Sequence, residues 1–266
     1  MSQFLANDCM GLAQEVAYSS LLAFFPAVVA LIGLLDLINA YDALQRFLDP
    51  VAPNAVTDLI RSFKQDTGGS GSVVALVVGS VGAVWAASGA MGSVVKAVNR
   101  AYGLRESRPF WKVRLLSIVL VFASGVVTAG MLLLIVLGGT LGNAIARRAP
   151  LGGAFTWTWD ILRWPIAFTA VLLLFALIYS LAPNREQRSW RWVTPGSVLG
   201  ALLWLALSGL FALYTSFSNS YTKTYGTLAG GIVLLLWLNY TAWAILFGAE
   251  LNAALDQQAD LRVSPQ

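Results

Sequence analysis

The chain has 266 residues, 58% of them hydrophobic and 11% charged, with 17 Lys and Arg against 13 Asp and Glu for a net charge of +4. Ordinary soluble domains carry roughly 25% charged residues, so this composition excludes a water-soluble domain. The absence of histidine and the presence of one cysteine, Cys9, exclude intrachain disulfides, CxxC metal knuckles and every histidine-dependent hydrolase or nuclease site.

Six charge-free runs organise the chain: Val16–Leu35, Val73–Val95, Leu115–Ala146, Trp164–Pro183, Trp192–Thr222 and Thr224–Ala249. Each reaches the roughly 20 apolar residues needed to cross the hydrocarbon core as a helix, and none alternates as a barrel strand would. The residues before the first run include Asp8 and Glu15 but no Lys or Arg, unlike the basic start of a signal peptide, so the first span is expected to be retained.

Span one contains Pro26 near its middle. A proline has no N–H to donate, so the carbonyl of Leu22 loses its helical partner where no water can replace it. Glu15, Ser19, Leu22 and Pro26 fall along one helix side, with Tyr18 beside them. The expectation is a kink toward an internal polar crevice, with Ser19 or Ser20 and neighbouring helices satisfying the break; a purely structural kink is the alternative.

After span one, residues 41–66 form an expected amphipathic segment. Val56, Leu59, Ile60 and Phe63 recur at helical spacing opposite Asp58, Arg61, Ser62 and Lys64. Such a helix lies in the outer membrane interface or caps the helices. Span two carries a face of small residues, Gly79, Gly82, Ala86, Gly89 and Ser93, which suits close helix packing in lipid more simply than it suits a ligand. Its helix is expected to continue through Lys96 and Arg100 until Gly103 ends it.

The next connection is basic: Lys96, Arg100, Arg105, Arg108, Lys112 and Arg114 against the single acid Glu106. These residues fix topology or contact anionic lipid headgroups, and Tyr102, Phe110 and Trp111 suit the same interface. Ten basic residues fall on this side of the expected topology and seven on the other, which places both termini, with a short tail at 256–266, in the cytoplasm. Span five opens with Thr194 as helix cap, Pro195 as first helical residue, and Gly196 and Gly200 as a contact face. In span six, Asn239, Trp243, Leu246 and Glu250 share a face, so that Glu250 borders a cavity or sits hydrated or paired at the interface.

Four segments carry a family likeness: "YSSLLAFFPAVVALI", "SGAMGSVVKAVNRAYG" followed by "ESRPFWKVR", "TPGSVLGALLWLALSGLFALY", and "YGTLAGGIVLLLWLNYTAWAILFGAELNAAL". In this order they resemble the signature segments of the YihY/BrkB family of bacterial inner-membrane proteins, over about Asn7 to Leu255. The matching positions are Tyr18, Pro26, Asn99, Pro195, Gly196, Tyr225, Gly226, Trp237, Gly248, Glu250 and Asn252. The name ribonuclease BN, often attached to such proteins, would imply tRNA processing. Metal-dependent RNA hydrolysis, however, needs clustered carboxylates or histidines exposed to water, and no expected cytoplasmic loop here offers an acidic pair.

The expected fold class is an all-α membrane protein of six transmembrane helices with an amphipathic interfacial helix between spans one and two, in one domain over residues 1–266. The expected function is handling or transport of an amphiphilic or anionic solute at the bacterial inner membrane. Its crevice would be lined by Glu15, Tyr18, Ser19, Pro26, Asn99, Trp237, Asn239 and Glu250. Membrane lipids are the expected partners, with no nucleic acid, metal or cofactor. A non-transporting envelope scaffold is the alternative, and a nuclease stands last.

Overall fold

The computed structural model describes residues 7–37, 70–132, 134, 152–185, 193–217 and 227–263, so the amphipathic segment expected at 41–66 lies outside the described residues. Six helices follow in order: α1 Cys9–Leu37, α2 Ser70–Ala101, α3 Phe110–Leu132, α4 Gly152–Leu181, α5 Pro195–Phe217 and α6 Thr227–Val263. Each contains a stretch long and apolar enough to cross a membrane, and no strand occurs among the described residues. The protein is therefore an all-α, multi-pass membrane protein. Its outward faces are apolar, as hydrocarbon requires: Val74, Val78, Val81 and Trp85 on α2 are all more than 60% exposed.

The expected helix signals operate. α2 ends in a left-handed Gly103 (φ 67°), with the N–H of Leu104 on the carbonyl of Asn99 and that of Gly103 on Arg100, closing the helix with a Schellman pair of bonds. At the start of α5, Thr194 Oγ1 accepts from the Ser197 N–H at 3.1 Å while Ser197 Oγ accepts from the Thr194 N–H at 2.9 Å. This is a capping box with serine in the third helical position.

Two helices run beyond their charge-free stretches. α4 begins at Gly152, so Arg163, which lies just before the charge-free run Trp164–Pro183, is helical and pairs with Asp160 one turn earlier at 3.5 Å. A charge that finds a partner three residues away, with a long stem to lay along the helix, need not end a span. α6 continues to Val263, and most of the expected tail is its last turns.

The chain divides into two compact units, the first comprising Met1–Cys9, Val95–Leu205 and Trp243–Gln266, the second Met10–Val94 and Ala206–Ala242. In the second unit α1 and α2 run antiparallel in close contact. A Cβ added at Gly79 would sit 2.7 Å from the backbone N of Ala30, and one at Gly33 equally close to that of Leu76. The small-residue face of α2 therefore packs as expected. Pro26 lies inside a helix that continues past it and faces Gly82, where an added Cβ would meet the proline ring at 3.5 Å. The helix breaker is thus turned toward protein.

In the first unit, α5 and α6 approach antiparallel at glycines. Gly196 abuts the Gly248 carbonyl and the Asn252 side chain, and Gly200 lies against Tyr179 of α4 and the Ala244 carbonyl. The buried Tyr179 hydroxyl donates to the Ile245 carbonyl at 2.7 Å, and its ring stacks on Phe175. Here α3 also packs on α4.

Candidate functional site

In the second unit the polar groups of α1 and α2 meet. Glu15 and Ser19 lie one turn apart on α1, and Ser93 of α2 reaches both. Ser93 Oγ is 3.3 Å from Ser19 Oγ and 3.5 Å from Glu15 Oε1, and all three residues are half-buried. The three oxygens lie within the segments Cys9–Leu31 and Leu76–Ala101 that are apolar enough to cross a membrane. Trp237 and Asn239 also belong to this unit, and the Trp237 indole N–H donates to Ser208 Oγ at 3.1 Å. Tyr18 is 61% exposed on α1.

In the first unit a polar network gathers helix ends. The buried Asn99 near the end of α2 donates from Nδ2 to Glu106 Oε2 at 2.9 Å and accepts at Oδ1 from the Asn184 N–H at 2.7 Å. Arg108 grips Glu106 with Nε on Oε1 at 2.8 Å and Nη2 on Oε2 at 2.6 Å. The same guanidinium donates to the last carbonyls of the α4 end, 2.7 Å to Ala182 and 3.4 Å to Leu181. This bidentate pair is also a positive cap on a helix C-terminus. Hydrogen bonds from Arg108 hold the Glu106 carboxyl below the usual carboxylate range.

Arg185, just past α4, pairs with Asp256 of α6 at 2.5 Å and lies over the Tyr102 ring at 4.3 Å. Burial pushes the Tyr102 hydroxyl up to about 12 against the opposing pull of Arg185. Asn252, also buried, accepts from the Gly196 N–H at 2.8 Å and donates to Thr194 Oγ1 at 2.9 Å, completing the cap of α5. Glu250 accepts from Asn7 Nδ2 at 2.8 Å, and Cys9 Sγ lies 3.4 Å from the same oxygen.

The expected crevice residues thus fall into two groups. Glu15, Tyr18, Ser19, Pro26, Trp237 and Asn239 belong to one unit, and Asn99 and Glu250 to the other. Within the basic cluster, Arg108 is committed to the network, whereas Lys96, Arg100, Arg105 and Lys112 are exposed and Arg114 is half-buried. Lys112 lies over Trp111 at 5.4 Å. Asn184, Arg185, Asp256, Asn7 and Cys9 were not legible as site residues, because their partners lie 70 or more residues away in sequence. Among the described residues no three His, Cys, Asp or Glu side chains converge as a metal site.

The family model described as Virulence factor BrkB matches residues 1–266. The chain is 31% identical to a protein of Bacillus subtilis (strain 168) named ribonuclease-like protein YfkH, over 98% of this chain and 94% of that one. It is 28% identical to the UPF0761 membrane protein AZOSEA40600 of Aromatoleum aromaticum, over 95% of this chain and 61% of that one. It is 29% identical to a UPF0761 membrane protein of Chromohalobacter salexigens, over 97% of this chain and 62% of that one. The chain therefore spans about three-fifths of the length of those two UPF0761 relatives. No solved structure matches it. With six apolar helices and a family match along the whole chain, this protein belongs to the Virulence factor BrkB family of membrane proteins.

Proposed function

We propose that the protein moves or handles an anionic amphiphile in the bacterial inner membrane, with both termini in the cytoplasm. The observation that carries this reading is the Glu15–Ser19–Ser93 cluster on two membrane-spanning helices. A carboxylate within an apolar span is costly to keep and marks a path for solute, ion or proton. The exposed basic residues Lys96, Arg100, Arg105 and Lys112 supply positive charge suited to gathering anionic headgroups. Three described carboxylates of the first unit, Glu106, Glu250 and Asp256, favour this reading over RNA hydrolysis. Glu106 is bound by Arg108, Asp256 by Arg185 and Glu250 by Asn7, so each is committed to a different partner.

A second reading, a non-transporting scaffold, is favoured by the network of the first unit, whose charges are used to tie helix ends together. Reconstitution separates the two. Proteoliposomes containing a fluorescent short-chain phosphatidylglycerol should show protein-dependent movement of the lipid between leaflets, and Glu15→Gln should reduce it at least tenfold at equal protein content. Absence of movement with wild-type protein, or full movement with Glu15→Gln, would give preference to the scaffold.

A further inference from the structure

We propose that Asp160 and Arg163 on α4 form a headgroup site for a zwitterionic aminophospholipid, Arg163 taking the phosphate and Asp160 the ammonium. The site stands apart from the solute handling proposed above and asks only that α4 cross the membrane.

Arg163 is a guanidinium with donors to spare. Its Nη1 lies 3.5 Å from Asp160 Oδ1, an ion-pair contact longer than the roughly 2.7–2.9 Å of a charge-assisted hydrogen bond. Its Nε is buried and has no hydrogen-bond partner among the described residues. The guanidinium lies over the Trp164 ring at 5.9 Å, near the limit of about 6 Å for a cation–π contact. Arg108 shows what the same group does when acceptors are supplied: Nε, Nη1 and Nη2 all donate, to Glu106 and to the carbonyls of Leu181 and Ala182. A charged N–H withdrawn from water without an acceptor is costly, and a phosphate oxygen supplies what Asp160 leaves unmet. A phosphodiester also offers two oxygens at once, the geometry that the guanidinium fork matches.

The surroundings suit a lipid headgroup rather than a free anion. Trp157, Asp160 and Trp164 recur at i, i+3 and i+7, so they share a face of α4, with Arg163 at its border. Trp157 is 70% exposed and Trp164 57%, and Ile161 and Leu162 beside them are exposed as well. Tryptophan concentrates where hydrocarbon meets headgroups. Depth agrees with this placement. From Arg163 to Leu181, whose carbonyl accepts from Arg108, α4 rises about 27 Å, close to the roughly 30 Å of a hydrocarbon core. Arg108 and Arg163 thus lie at opposite membrane interfaces, and in the orientation proposed above Arg163 meets the outer leaflet.

Charge selects the headgroup. The Asp160 side chain is 56% exposed, next to whatever binds Arg163. An anionic headgroup such as phosphatidylglycerol brings only negative charge and is repelled by that carboxylate. Phosphatidylethanolamine carries a phosphate and a primary ammonium two carbons apart, so it answers both residues, and an ammonium has N–H donors for the carboxylate. Phosphatidylcholine has the same charges but no N–H, and its methyl groups hold the cation farther from Asp160. The expected order of preference is therefore ethanolamine, then choline, then glycerol.

Delipidated protein in detergent is titrated with short-chain phosphatidylethanolamine, phosphatidylcholine or phosphatidylglycerol, or with inorganic phosphate, and its unfolding midpoint is followed. A ligand that binds only the folded state raises its stability by RT ln(1 + [L]/Kd). The midpoint should rise by several degrees with the ethanolamine lipid, less with the choline lipid, least with the glycerol lipid, and not with inorganic phosphate. Arg163→Gln should raise the concentration of ethanolamine lipid required about tenfold. Asp160→Asn keeps the shape and removes the carboxylate, so it should reverse the order and favour the glycerol lipid. An ion pair with a structural role alone would lower the midpoint in both variants and leave the order of headgroups unchanged. Should Arg163→Gln fail to fold, the reversal in Asp160→Asn still decides the matter. Equal responses to the three lipids in the wild type would overturn the site, as would an ethanolamine preference that survives Asp160→Asn, or a response matched by inorganic phosphate.

Discussion

Gly248 gives the sharpest test of how α5 and α6 are held, because the same substitution elsewhere should have the opposite sign. A Cβ at Gly248 would overlap the Tyr179 hydroxyl and lie 2.5 Å from the Gly196 carbonyl oxygen. Backbone cannot yield as a flexible side chain can, so the helices must separate. Replacing a helical glycine with alanine gains about 1 kcal/mol of intrinsic propensity. Against this stand about 1–3 kcal/mol of overpacking and about 1–3 kcal/mol for stranding the buried Tyr179–Ile245 hydrogen bond. The net expectation for Gly248→Ala is a destabilisation of about 1–5 kcal/mol. Gly209 on α5 meets nothing within 4 Å, so Gly209→Ala should be neutral or stabilise by up to about 1 kcal/mol. Reversible unfolding in mixed micelles, followed by far-UV circular dichroism, compares the two directly. Equal stability of the two variants would show that the close approach at Gly248 does not exist.

Arg108→Ala should destabilise the α2–α3 connection and the end of α4 by about 1–3 kcal/mol, since it removes a charged bidentate pair and a helix cap together; limited proteolysis near Glu106 reads the loss, and Arg108→Lys should rescue little because a single ammonium cannot grip both oxygens. Glu106 has its folded-state pKa depressed below the ordinary 4.5, so its contribution is present above that value and is lost as pH falls through the lower folded-state value. Wild type and Glu106→Gln should therefore differ in stability at neutral pH and converge as acid is added; a constant difference would contradict the Arg108 pairing. Tyr102 is raised instead, to about 12, so its contribution holds below about 10 and fades as pH rises toward 12, which Tyr102→Phe should abolish in an alkaline unfolding series. Reporter fusions at Ala101 and Asn184 should report the cytoplasm and a fusion at Gly152 the opposite side; one inverted reporter would refute the proposed orientation.

The sequence alone determined the class and much of the local architecture. Six runs of apolar residues long enough for a bilayer could only become six helices, since backbone groups in hydrocarbon must be satisfied within the segment. Gly103 as a left-handed stop and Thr194–Pro195 as a start were legible because caps depend on side chains a few residues apart. The small faces of α2 and α5 were legible for the same reason, since helical periodicity shows which residues align. Tertiary structure decided what those faces meet and what each polar group does. Glu250 on its own helix could border a cavity or be hydrated, and its partners Asn7 and Cys9 lie more than 240 residues away. Asn99 and Asn252 are likewise ordinary amides in sequence, and they became structural because buried donors and acceptors at helix ends need partners from other segments. Spacing along a helix fixes which side a group faces; only the packing of helices distant in sequence fixes the group it finds there.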